Sequence, residues 1–145
     1  MKWITRSNVN VDRVACPWLI ERFVDAEAEF SFVAEDELLK AARAENATPF
    51  DAPRLVEVKL NHRGDHCTFE AIIEDYHLAD PALHRLALIV RAADIRGQEH
   101  VAQEGSGLRA IAEGFSLLAI PDEERLSRQF PLYDALYEYA RRQSS

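Results

Sequence analysis

The chain has 145 residues, of which 48% are hydrophobic and 29% charged, with a formal net charge of −8 and a pI near 5.1. That length fits one domain, residues 1–145, around a single core, and the composition excludes a disordered or fibrous chain. The acidic balance argues against direct binding of nucleic acid or an anionic membrane, and no apolar run nears the ~20 residues that span a bilayer.

"MKWITRSNVNVDR" is too polar for a signal peptide, so a cytoplasmic location is expected, with Cys16 and Cys67 as reduced thiols. "KWITR" (2–6) alternates and reads as a first strand. "VDRVACPWLIERFVD" (11–25) reads as a helix in which Pro17 sits near the start or makes a kink. "AEFSFVA" (28–34) reads as a second strand and "EDELLKAARAE" (35–45) as a helix of strong formers. "TPFDAP" (48–53) carries two prolines and reads as a turn. "RLVEVKLNH" (54–62) alternates and reads as a third strand.

The second half turns helical. Thr68 is a plausible cap for "FEAIIEDYH", and Asp80-Pro81 joins a cap to a first-turn proline for a helix running to about Ile95. "EGSGLRAIAEGFSLL" (104–118), "PDEERLSRQ" (121–129) and "PLYDALYEYARR" (131–142) supply three more helices. The order predicts an α+β fold: a small sheet of about three strands in the N-terminal half, packed by a helical C-terminal half.

The informative positions are carboxylates on apolar stripes. At about 100° per residue, Asp94 falls near the angle of Leu83, on the buried face and at the negative end of its helix. Such a group needs a metal cation, an arginine or a proton, with Arg13 and Arg22 as candidate partners. Glu104 precedes Leu108 by four and shares the apolar face of Leu108, Ile111 and Phe115, at a positive helix end.

"HRGDHCTFE" (62–70) concentrates reactive residue types. His62 leaves a strand end, Gly64-Asp65 is turn chemistry, and Cys67 and Glu70 stand at a helix N-terminus, where a thiolate is favoured. His62, Glu70, Asp94 and Glu104 form a candidate nitrogen–oxygen set for one divalent ion, iron(II), manganese or zinc. Cys67 and Cys16 are the thiol candidates. The spacing matches no zinc-finger or HExxH pattern, and there is no GxSxG elbow, phosphate loop or dinucleotide fingerprint. His66, His77, His84 and His100 read as surface histidines.

"VDRVACPWLIERFVDAEAEF" (11–30), "TPFDAP", "HRGDHCTFE", "RAAD" (91–94) and "FPLYDALYEYAR" (130–141), taken in order, resemble the C-terminal domain of the chromate resistance protein ChrB family. The resemblance implies a link to chromate efflux systems, in some members as chromate-responsive regulators and in others beside a sulfurtransferase-like domain. It carries no catalytic residue, and leaves open whether this chain is an enzyme. A regulator's DNA-binding part is expected to lie outside this stretch. Many members of that family have His-x-His where this chain reads "NVN" (8–10), which leaves His62 as the best nitrogen ligand.

Two readings follow. In one, a cytoplasmic metal-binding domain serves chromate or heavy-metal stress by sensing or by redox chemistry at a metal or thiol. Arg13 and Arg22 then supply positive charge for an oxyanion such as chromate. In the other, the domain is a non-catalytic interaction module for a regulator or sulfurtransferase partner, and the same polar residues form buried ion pairs.

Overall fold

The computed structural model describes residues 1–144. Three strands, β1 (Lys2–Arg6), β2 (Glu29–Val33) and β3 (Thr48–Pro49), form a parallel sheet in the order β2-β1-β3. Trp3 pairs with Phe30 on one side and with Thr48 on the other. Six α-helices accompany them: α1 (Val11–Leu19), α2 (Leu38–Glu45), α3 (Thr68–Asp75), α4 (Pro81–Asp94), α5 (Gly105–Leu117) and α6 (Asp122–Ser144). The expected α+β division holds, with the sheet early and most of the helices late.

Alternation along β1 divides the interior. Trp3 faces the main core with α1, α3, α4 and α6, while Ile4 faces a smaller cluster with Leu38 and Ala42 of α2. The chain thus covers one sheet face with α1 on its way to β2, and the other with α2 on its way back past β1 to β3. That reversal makes the β1/β3 boundary a topological switch point, where the loops after the two strands diverge and leave a crevice at their carboxyl ends.

Several boundaries differ from the sequence expectation. The third strand is not 54–62 but Thr48–Pro49, within the stretch expected to be a turn. Residues 54–62 instead close local turns, Leu55 N–H to Ala52 and Val58 N–H to Leu55, and only Leu60 bridges back to Phe50. The Asn61 amide donates to the Ala52 and Leu55 carbonyls and secures this folding-back. Of the alternating residues, Val58 and Leu60 are buried but Val56 is exposed. Pro17 neither starts nor breaks α1; the helix runs through it and widens into a π-turn over Ile20–Val24.

Pro131 likewise does not divide the last helix. α6 is continuous through it, because Leu126, Tyr133 and Ala140 are buried in the main core on both sides of the proline. On α5, Leu108 and Ala112 are buried but Ile111 is exposed, so the apolar face is narrower than the pattern predicts. Gly105 explains how closely α5 approaches α4: a Cβ there would stand 2.4 Å from the Ala92 Cβ. No helix among the described residues is long and apolar enough to cross a membrane.

Candidate functional site

The crevice at the switch point collects residues from five separate segments. Asp12 comes from the first turn of α1, Asp51 from the loop after β3, and His62 from the turns that follow. Thr68 opens α3, and Asp94 ends α4. The three carboxylates converge on the imidazole of His62. Its Nε2 lies 3.1 Å from Asp94 Oδ2, 3.4 Å from Asp12 Oδ2 and 3.6 Å from Asp51 Oδ1. Metal bonds of about 2.0–2.2 Å place adjacent donors roughly 2.8–3.6 Å apart in tetrahedral or octahedral geometry, so these spacings suit one ion. Donor atoms of Asp12, His62 and Asp94 all lie within 4.8 Å of one another, so this group could hold a metal ion.

The site is graded from buried to open. The Asp12 side chain is 2% exposed, that of Asp94 19% and that of His62 30%, so solvent reaches the cluster from the His62 side. Asp12 also caps α3 across the fold. Its Oδ2 accepts the Thr68 N–H at 2.8 Å and its Oδ1 the Phe69 N–H at 3.2 Å, while the Cys16 thiol donates to Oδ1 at 3.3 Å. A carboxylate at a helix N-terminus satisfies orphan amides and meets the positive end of the dipole. Cys67, not Thr68, takes the cap position, and the Thr68 hydroxyl instead donates to Asp51 Oδ1 at 2.8 Å.

Asp51 is held in the left-handed region at φ 52°, a conformation that favours glycine or asparagine and here turns its carboxylate inward. Arg6 and Arg13 approach its Oδ2 at 3.6 and 3.5 Å. Arg13 also donates to the Arg6 and Ser7 carbonyls, so its guanidinium braces the loop between β1 and α1.

Negative charge outweighs positive charge around the imidazole. Burial, and then the neighbouring Asp94 and Asp51 carboxylates, hold Asp12 above the ordinary carboxylate range. Burial and then Asp94 do the same to Asp51. His62 is pushed up to about 10 by its hydrogen bonds with Asp12 and then Asp94, with burial opposing. All three shifts favour an added cation, whether proton or metal.

The structure brings together two of the four residues expected as ligands, His62 and Asp94. Glu70 points elsewhere: Arg91 binds it through Nε at 3.0 Å and Nη2 at 2.6 Å, and it accepts the Cys67 N–H at 2.9 Å. Burial works against the Glu70 carboxylate, but Arg91 and the cap amide more than offset it and hold its pKa below the usual range. Glu104 accepts from Arg85 and from the Tyr139 hydroxyl, on the far side of α4 from the crevice. Arg22 pairs with Asp134 and Glu21 at the surface, away from His62, and Asp134 also receives the Trp18 indole N–H.

Neither cysteine is poised as a thiolate. Cys16 and Cys67 are fully buried, and burial, followed by the Asp12 charge, pushes both thiols well above their ordinary value. The dipole advantage at the α3 N-terminus is outweighed because Asp12 and Glu70 already occupy that end.

Sequence reasoning missed Asp12 and Asp51. Asp12 stands at the spacing of Cys16 and Leu19, both buried, so the same stripe test that singled out Asp94 applies to it. Asp51 lies between two prolines in a non-periodic segment, and no local pattern announces it.

A family model described as "ChrB, C-terminal domain" matches residues 3–140. Protein ChrB of Cupriavidus metallidurans is 30% identical over 139 residues, an alignment covering 95% of this chain and 40% of the relative. The chain thus spans well under half the length of that curated relative. No solved structure matches the chain. With the family match running from the start of β1 nearly to the end of α6, the chain belongs to the ChrB C-terminal domain family.

Proposed function

We propose that this domain binds one divalent transition metal through Asp12, His62 and Asp94, with Asp51 as a further oxygen donor or as the brace of His62. The observation that carries the reading is the convergence of three donors within 4.8 Å at the carboxyl ends of parallel strands. One imidazole with two or three carboxylates is an oxygen-rich set that suits manganese or iron(II) and accepts zinc. Burial of Asp12 and Asp51 fixes one side of the set, and the partly exposed His62 leaves coordination positions open to a small ligand.

Membership of a family linked to chromate resistance supports a role in cytoplasmic sensing or in redox chemistry at the metal, which the open side suits. A small oxyanion such as chromate is the ligand that this context brings to the metal, with Arg6 and Arg13 as nearby positive charge. The buried, protonated thiols make a cysteine nucleophile the weaker source of chemistry. Elemental analysis of protein purified without chelator tests the reading: near-stoichiometric metal in the parent, and none in a folded His62→Ala variant, is expected. Equal metal content in the two would remove His62 as a ligand.

A second reading is favoured by one observation. Both oxygens of Asp12 already accept α3 amides, and Asp51 already meets Thr68, Arg6 and Arg13, so the cluster has a structural use without metal. The domain would then be an interaction module for a regulator or sulfurtransferase chain. Metal-free parent protein, even after reconstitution with manganese, iron(II) or zinc, would select this reading.

A further inference from the structure

A cavity of about 640 Å³ opens between α3, α4 and the turn that joins them, on the Glu70–Arg91 side of α3 and separate from the donors around His62. Its size is that of a small-molecule site. Ile73, Leu78, Ala87 and Leu88 give it an apolar wall. The polar wall carries Arg91 and three imidazoles, His66, His77 and His84.

The charges in this wall are unevenly committed. Glu70 is saturated by Arg91 and by the Cys67 amide. Glu74 is 70% exposed and leans toward Arg63 at 3.6 Å. Arg91 spends only Nε and Nη2 on Glu70, and its Nη1 donates to no protein acceptor among the described residues. The bidentate pair therefore holds a guanidinium rigidly with one donor edge unspent.

The imidazoles line the same wall. His84 Nε2 stands 3.0 Å from the Leu78 carbonyl, which places a proton on that nitrogen, spends it on the carbonyl and fixes the ring in the cavity wall. His77 lies at φ 53° at the end of α3, a position where glycine is the easier residue, and its side chain borders the cavity. One unspent guanidinium donor thus borders an apolar wall on which Glu70 is paired and Glu74 is turned largely to solvent.

We propose that this cavity binds a small organic anion, its apolar body against Ile73, Leu78, Ala87 and Leu88 and its anionic group at the unspent edge of Arg91. The site is independent of the metal reading, and either can fail alone. Anilinonaphthalene sulfonate, which joins an aromatic body to one negative charge, is the probe, with uncharged phenylnaphthylamine as its control. Fluorescence titration of the full chain should show a single saturable site for the sulfonate and binding about tenfold weaker for the control.

Ala79→Trp, an exposed lining position, should fill the cavity and abolish binding. Arg91→Gln should weaken the sulfonate about tenfold while leaving the uncharged control unchanged. If circular dichroism shows Arg91→Gln unfolded, the comparison of the two probes on the parent protein decides the charge claim alone. Binding by Ala79→Trp equal to the parent, no binding by the parent, or equal affinity for both probes would each overturn the proposal.

Discussion

Two clusters meet at the N-terminus of α3 and use the same residue types to opposite effect. On one side Asp12, Asp51 and Asp94 crowd around His62, and the nearest guanidiniums reach only Asp51. On the other side Glu70 has Arg91 to itself, as Glu104 has Arg85 on the next helix. Where each carboxylate owns a guanidinium, its charge is neutralised and it calls for no further cation, even where the guanidinium, as in Arg91, keeps a donor to spare. Where carboxylates outnumber cations, the site still favours one, which is why the first cluster and not the second is the metal candidate.

The largest expected effect separates the clusters by metal content. Asp94→Asn should lower affinity for manganese or iron(II) by more than about 100-fold, because it removes a charged donor itself rather than a supporting partner. Glu70→Gln should leave affinity within a few-fold of the parent. Titration by calorimetry reads both, and a larger loss in Glu70→Gln than in Asp94→Asn would reverse the assignment.

The next effect is on stability and falls on the other side. Arg91→Ala leaves a half-buried Glu70 carboxylate with the Cys67 amide and thiol and a distant His66, and should cost about 1–3 kcal/mol in urea unfolding. A loss below about 0.5 kcal/mol would place this pair among the inconsequential surface pairs.

pH should break the two clusters at opposite ends. In chelated protein, His62 has a folded pKa of about 10, above its unfolded value of about 6.5. Its contribution is full below the unfolded value and is lost as pH rises toward the folded one. Glu70 is lowered, so its contribution is full above about 4.3 and is lost as pH falls through its folded value. Unfolding midpoints measured across pH should therefore lose their alkaline decline in His62→Ala and part of their acid decline in Glu70→Gln. Metal should suppress the alkaline decline in the parent, since a bound ion replaces the proton.

The smallest effect belongs to Arg22. Its pair with Asp134 is exposed on both sides, so Arg22→Ala should change stability by less than about 1 kcal/mol and leave metal content unaltered. Loss of metal in that variant would return Arg22 to the site.

Local chemistry in the sequence determined a good deal. Alternation marked β1, the residue types of 28–34 marked β2, and Asp80-Pro81 marked the start of α4, where the Asp80 side chain accepts the Ala82 N–H. Helical periodicity put Asp94 beside buried residues, and residue type made His62 the outstanding nitrogen donor. These signals survive because each depends on residues within a turn or two of one another.

Tertiary structure decided the rest. The Glu70 and Glu104 carboxylates look as available in sequence as Asp94, but arginines 21 and 19 residues away claim them. Asp12 acquires its role from amides 56 and 57 residues later, and Asp51 from a hydroxyl 17 residues later and a left-handed turn. The third strand moved for the same reason: pairing is settled by which segment reaches the free edge of β1, and residues 54–62 had closed their own local turns. A site made by converging segments depends on chain crossings, and periodicity along one segment carries no record of what will stand opposite it.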